Sequence, residues 1–349
     1  TSTTTTTTTN GVNGGGMDPQ KAALLQRLVQ CTGSERKPLA IMHEARCSVG
    51  AVFLAGKIIV CGGYDRGECL KTAEEYDVSS GQWTDLKGMI DGRGRFDAAV
   101  MDGKVYAIAG SNGQTEMKSC ETYDVKGGKW KRIKALEQAR SHNGCASLEG
   151  AVYTVGGTFD SLPLKNVERY TPETDLWEEV AGLEVARYQI GVTSWRGLII
   201  AAGGCDKWAC SNVVEAYDAK TNTWRQLAKL RTPRRGCGAV VFRDQLWVIG
   251  GHDGTQSLAS VEVLETPSGS WRAGPSLVTA RANTRAVVTA GGVVYVIGGF
   301  NGNTFLNTIE LLENESVGWR NWQQSALAER QSIVEEEEED DEKTMTTNT

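Results

Sequence analysis

The sequence predicts an all-β fold: a six-bladed β-propeller with four antiparallel strands per blade and disordered termini. Three observations carry this reading. Glycine pairs end short apolar runs at regular intervals, a tryptophan follows each pair at a fixed distance, and an arginine recurs in the same register.

The second glycines, Gly63, Gly110, Gly157, Gly204, Gly251 and Gly299, step by 47 four times and then by 48. Ala109-Gly110 is the one degenerate pair. Twenty residues after each stands Trp83, Trp130, Trp177, Trp224, Trp271 or Trp319. Seven before each tryptophan is Tyr76, Tyr123, Tyr170, Tyr217, Leu264 or Leu312, and two earlier still is always a glutamate. Arg46, Arg93, Arg140, Arg187, Arg234 and Arg281 complete the register.

Each unit divides into four short strands. In the fifth, RRGCGAVVF (234–242) reads as strand a and QLWVIGG (245–251) as strand b. SVEVLE (260–265) reads as strand c, and strand d lies at Trp271. Strand b is apolar almost throughout, as a strand buried on both faces should be. The c-to-d connections, such as VSSGQ and AKTNT, are built from turn formers. One such blade cannot bury its own faces, so blades stack radially. The register aromatics then fill the space between blades, and losing one costs about 3–5 kcal/mol. The repeated glutamate is read as structural, bonding the neighbouring chain or the repeated arginine. Four arginines are followed, four residues on, by Gly50, Gly144, Gly191 and Gly238, as crowded innermost strands require. The two exceptions, Asp97 and Arg285, are expected to pair across the axial channel or line its mouth.

The repeat units run over about 46–92, 93–139, 140–186, 187–233, 234–280 and 281–327, within a propeller of 34–331. Residues 1–33 are low in complexity, with a short helix expected over 18–30, and 332–349 form an acidic tail. Leu39, Met42 and Arg46 repeat the spacing of Leu86, Met89 and Arg93, so the vestige of a d-strand is expected ahead of blade one. Either that segment or AERQS (328–332) is a candidate to close the ring.

Charge and composition exclude several functions. The net charge is −6, but EEEEEDDEK (335–343) supplies eight of the 43 acids. The remainder is nearly neutral and offers no electrostatic footprint for nucleic acid. No apolar run is long enough to predict a membrane span. Nine cysteines without a C-x-x-C pair read as reduced thiols, Cys69 and Cys210 as packed ones, and three histidines give poor support for a metal site. No cofactor or metal is expected. GGYDRG, which opens as a phosphate cradle, lacks a following helix and recurs in related form in every unit, so its glycines read as a tight turn.

The frame is constant, and the residues just after each glycine pair vary. They are Tyr64-Asp65-Arg66, Ser111-Asn112, Thr158-Phe159, Cys205-Asp206, His252-Asp253 and Phe300-Asn301. A rigid scaffold with variable loop tips suits recognition.

The combination of Gly-Gly, Glu-x-Tyr and a tryptophan seven later resembles the kelch repeat, and the resemblance spans residues 46–320. The chain is similar to the kelch rings of BTB-kelch adaptors. That resemblance implies a protein partner on one face, formed by the loops after the glycine pairs and by the turns near the repeated arginine. By position the second set is Ser48, Arg95, His142, Gln189, Gly236 and Asn283, joined by Tyr188 and Arg235. It implies a non-catalytic interaction module, recruiting substrates to a cullin-type ubiquitin ligase or associating with filamentous actin. The expected location is cytoplasmic, with cytoskeletal and nuclear placement as variants. The alternative is a propeller enzyme such as a metal-dependent oxidase, which would need His, Tyr and Cys ligands converging at the axis.

Overall fold

The protein is represented by a computed structural model that describes residues 39–65 and 67–321. The expected helix at 18–30, the AERQS segment and the acidic tail lie outside the described residues.

Blade one shows how the repeat folds. Gly50–Leu54, Lys57–Cys61, Ala73–Asp77 and Gln82–Leu86 pair antiparallel in chain order, from strand a to strand d. Four more blades repeat this four-stranded sheet. Blade six has three strands, and its fourth is shortened to a single bridge between Leu311 and Arg320. The innermost strands pack side by side around the axis, the last of them (Arg285–Val288) against the first.

Strand a begins four residues later than the sequence suggests, at Gly238 instead of Arg234. The arginine side chain is folded into its own blade, and the residue two beyond it takes a positive φ, here 60° at Gly236. That kink ends the linker, and the strand starts after it.

The repeated arginine and glutamate form one device. Arg93 is fully buried and bonds the Ala109 and Ser119 carbonyls at 2.8 and 2.7 Å. It reaches Glu121 at 2.6 Å, and Glu121 also accepts the amides of Ile90 and Asp91 in the linker. The carboxylate therefore does both jobs expected of it. The glycine pair has a steric cause: Gly62 sits at φ 59°, and a Cβ there would lie 2.5 Å from the Arg93 carbonyl. Its counterpart Ala109 holds φ 59° as a non-glycine, a conformation that costs about 1–2 kcal/mol.

Six apolar clusters fill the six blade-to-blade contacts. Each register tryptophan donates its indole N–H, at 2.7–2.9 Å, to a carbonyl just beyond strand d of the preceding blade. For Trp83 that carbonyl is Ala40, in the segment ahead of blade one.

That segment docks on blade six. The Met42 amide donates to Asn307 O at 2.9 Å, and the Gly299 amide to Arg46 O at 3.2 Å. Met89 and Arg93 make the same two contacts with blade one, at Lys71 O and the Gly63 amide. Residues 39–46 thus act as the linker that follows a last blade, and the ring closes through them.

Candidate protein-interaction face

The b-to-c loops and the d-to-a linkers lie on one face. The residue after each glycine pair is bridged to the residue after the arginine: Cys47–Tyr64, Gly94–Ser111, Ser141–Thr158, Tyr188–Cys205, Arg235–His252 and Ala282–Phe300. The two residue sets expected to share a face are therefore neighbours in every blade.

At the centre, Ser48, Arg95, His142, Gln189, Gly236 and Asn283 all adopt φ between 51° and 60°. Each donates its amide to the carbonyl of its counterpart in the preceding blade, Ser48 to Asn283 included, at 2.5–3.1 Å. This closed hydrogen-bonded ring encircles the channel mouth. Gln189 also donates across it to Asn283 Oδ1 at 2.7 Å. Beneath the ring, Arg285 Nε lies 2.9 Å from Asp97 Oδ1, as the departures from glycine suggested. Asp97 also accepts the amides of Ala98 and Cys145, both at 2.8 Å. Burial nevertheless holds its pKa above the usual value, against the pull of Arg285 and the two amides. The inner strands enclose an axial cavity of about 340 Å³.

The sequence-expected residues divide into three groups. Ser111, Thr158 and Cys205 are buried, and their side chains bond within their own loops. Their expected contact with a partner is corrected accordingly: these short side chains are taken up inside their own loops. Asn112, Asp206, Asp253 and Asn301 use one side-chain oxygen each to accept amides two and three residues on. These shape the loop tips. Backbone and Thr255 hydrogen bonds hold the Asp253 carboxyl down to about 2.

Of the remaining described side chains, Arg95 and Phe159 are exposed and the others are half-buried. Arg95 is exposed, and its guanidinium lies 5.7 Å from the Tyr64 ring centroid. Tyr64 packs edge-on to Phe305 at 6.0 Å, which stacks on Phe300 at 5.3 Å. His142 packs on Tyr188 at 5.8 Å. Burial, then Arg95, Arg235 and Arg285, push the His142 imidazole well below its usual value, so it is neutral at physiological pH. His252 is also lowered by burial and Arg235, and its Nδ1 accepts the Gly254 amide. Asp65 and Asn283 are half-buried. Arg66 lies outside the described residues.

Sequence reasoning missed the most exposed feature of this face. Trp208, in the blade-four loop, is 84% exposed, with Lys207 Nζ 5.2 Å from its ring. On the blade-three hairpin next to it, Phe159 and Leu162 are 42% and 54% exposed. Phe305 was missed too, although it occupies the position that Cys69 and Cys210 take in blades one and four. Burial raises both of those thiols above the ordinary value, so they are packed groups and not poised nucleophiles.

Among the described residues, the one grouping with metal-ligand spacing is His43, Glu74 and Asp85, away from the axis. Glu74 is already bonded to Arg46 at 2.7 Å and to the His43 amide at 2.9 Å. The fully buried guanidinium beside it opposes a further cation.

A model of the kelch motif matches residues 45–90, 92–136, 139–184, 186–231, 233–278 and 281–312. The chain belongs to the kelch-repeat family. Within it, the chain is 38% identical over 88 residues to the influenza virus NS1A-binding protein homolog of Xenopus laevis, 25% of this chain and 14% of that protein. It is 43% identical over 63 residues to the Mus musculus homolog, 18% of this chain and 10% of that one. An F-box/kelch-repeat protein of Arabidopsis thaliana is 38% identical over 74 residues, 20% and 21% of the two chains. These matches thus span a small part of each relative. The solved structure of YjhT shares the fold, with a TM-score of 0.69 at 15% identity, over 81% of this chain and 99% of that one.

Proposed function

We propose that this kelch ring is a non-catalytic protein-interaction module and that the loop face binds its partner. The observation that carries the reading is Trp208, 84% exposed on a face that also presents Arg95, Tyr64, Phe159 and Phe300. Tryptophan, tyrosine and arginine dominate interface energetics. In this reading the partner rests across the loops that surround the mouth. Two regions meet there: an aromatic, arginine-bearing sector on blades six, one and two, and an apolar ridge on blades three and four.

The kinship with NS1A-binding proteins supports protein recognition, and binding of NS1A belongs to those proteins. The resemblance to BTB-kelch adaptors extends the proposal to a cytoplasmic adaptor. In that setting the partner is a substrate for a cullin-type ubiquitin ligase, or filamentous actin. Actin co-sedimentation separates these two.

The test is affinity capture with the wild type and Tyr64→Ala/Arg95→Ala. The double variant is expected to lose at least about tenfold in recovery of the wild-type partner, the effect of some 1.4 kcal/mol. A c-to-d turn variant, Lys126→Ala/Lys220→Ala, is expected to retain it. Unchanged recovery by the loop variant would show that another face binds.

A further inference from the structure

Two of the nine cysteines face each other at the foot of the blade-four loop. Cys205 and Cys210 form an antiparallel bridge. The Ser211 amide donates to Gly204 O at 2.9 Å and the Asp206 amide to Ala209 O at 3.1 Å, so these bonds flank the pair and do not join it. Facing residues of that kind have Cα atoms about 4.5 Å apart, within the roughly 4.4–6.8 Å that a disulfide spans. The two thiols lie within hydrogen-bond reach of each other. Cys205 Sγ also donates to Asp206 O at 3.1 Å, and Cys210 Sγ to His252 O at 3.4 Å.

The pair is particular to blade four. The same two positions hold Tyr64 and Cys69, Ser111 and Glu116, Thr158 and Pro163, His252 and Ser257, and Phe300 and Phe305 in the other blades. Among the described residues no other strand or bridge partnership joins two cysteines. The pair brackets the turn Asp206-Lys207-Trp208-Ala209. Asp206 Oδ1 accepts the Trp208 and Ala209 amides at 2.7 and 2.9 Å, so the base of the turn and the placing of Trp208 are linked.

We infer that Cys205 and Cys210 are a site of reversible disulfide formation, and that the bond locks the turn presenting Trp208. Access begins at Cys210, which is half-buried, whereas Cys205 is 7% exposed. The oxidant is a small disulfide of the glutathione class. Cys210 loses its proton to solvent, and its thiolate attacks one sulfur of that disulfide. The glutathione S–S bond breaks and one glutathione thiolate leaves. Cys205 then loses its proton and attacks Cys210 Sγ, and the second glutathione thiolate leaves. The two cysteines have lost two electrons, glutathione has gained them, and two protons from solvent complete its thiols. Burial holds the Cys210 thiol above its ordinary pKa, so the first step is slow. The second joins sulfurs already held together, which makes the mixed disulfide short-lived. Reduced glutathione reverses both steps.

The consequence for partner binding rests on the loop-face reading. A closed base leaves the turn fewer conformations to lose, so the oxidised chain is expected to bind the partner about threefold more tightly.

The test incubates the full chain with glutathione disulfide, alkylates the remaining thiols in denaturant and digests with trypsin, which cuts after Lys207 between the two cysteines. GLIIAAGGCDK (197–207) and WACSNVVEAYDAK (208–220) are expected as one linked species that dithiothreitol separates. Hydrogen exchange of the amides of 206–210 is expected to slow on oxidation of the wild type and not of Cys210→Ser, whose fold is checked by near-UV circular dichroism. Two separately alkylated peptides, a lasting glutathione adduct on Cys210, or a linked species with unaltered exchange in the turn would overturn the inference. Partner capture keeps the two claims apart. If the linked species forms and slows exchange, but recovery is the same for Trp208→Ala and for both redox states, the disulfide site stands and the loop-face reading falls. If Trp208→Ala loses the partner while no linked species forms, the disulfide inference falls and the reading stands. Equal recovery by the oxidised and reduced chains, with Trp208→Ala impaired, would remove the effect of the lock on binding.

Discussion

Arg93→Met is expected to lower the stability of the ring by about 3–5 kcal/mol, because it strands a buried charge. Arg93 and Glu121 are both fully buried, and the guanidinium supplies hydrogen bonds to two carbonyls and to the carboxylate. Without it, Glu121 keeps two linker amides but loses its countercharge. In a ring of this size the loss corresponds to a fall in Tm of about 5–15 °C. Arg93→Met/Glu121→Leu is expected to recover part of this loss, since an apolar pair removes the uncompensated charge. Recovery stays partial because the amides of Ile90 and Asp91 then lack an acceptor. Differential scanning fluorimetry of the two variants checks both statements. A single variant within about 1 °C of wild type would show that the device is not a structural keystone.

Trp208→Ala is expected to do the opposite: leave the fold intact and weaken partner binding by about 2 kcal/mol, close to thirtyfold. Its side chain is 84% exposed, with Lys207 Nζ beside its ring, so its removal opens no cavity. The contrast is Trp271, 6% exposed and bonded to Ala228 O at 2.7 Å. Trp271→Ala is expected to cost about 3–5 kcal/mol of stability. Thermal melts and surface plasmon resonance against the captured partner separate the two tryptophans. A destabilised Trp208→Ala, or one with unaltered affinity, would remove Trp208 as an anchor.

The architecture was legible because it repeats. Six copies of the same arginine, glutamate and tryptophan impose one packing solution, and the register exposes it. Even a departure was informative: where four inner strands have glycine, Asp97 and Arg285 make room for each other by pairing. The site was less legible, because it consists of what does not repeat. Ser111, Thr158 and Cys205 vary as a recognition residue should, yet they are buried and bond within their own loops. Trp195, Trp208 and Trp247 all fall outside the register. Two are buried, at 2% and 0% exposure, and one stands in water. Sequence position alone treats the three alike, and only their neighbours in space distinguish them. Arg95 was singled out by its place in the repeat, and it is exposed.

The central claim, that partners rest on the loop face, is tested most directly by site-specific photocrosslinking in the full chain. A benzophenone side chain is placed at Trp208 or Phe159 on the loop face, or at Lys126 or Lys220 in the c-to-d turns. Adducts with the captured partner are expected at 208 and 159, weakened by Arg95→Ala, with none at 126 or 220. Adducts confined to 126 and 220 would place the partner on the opposite face and contradict the account.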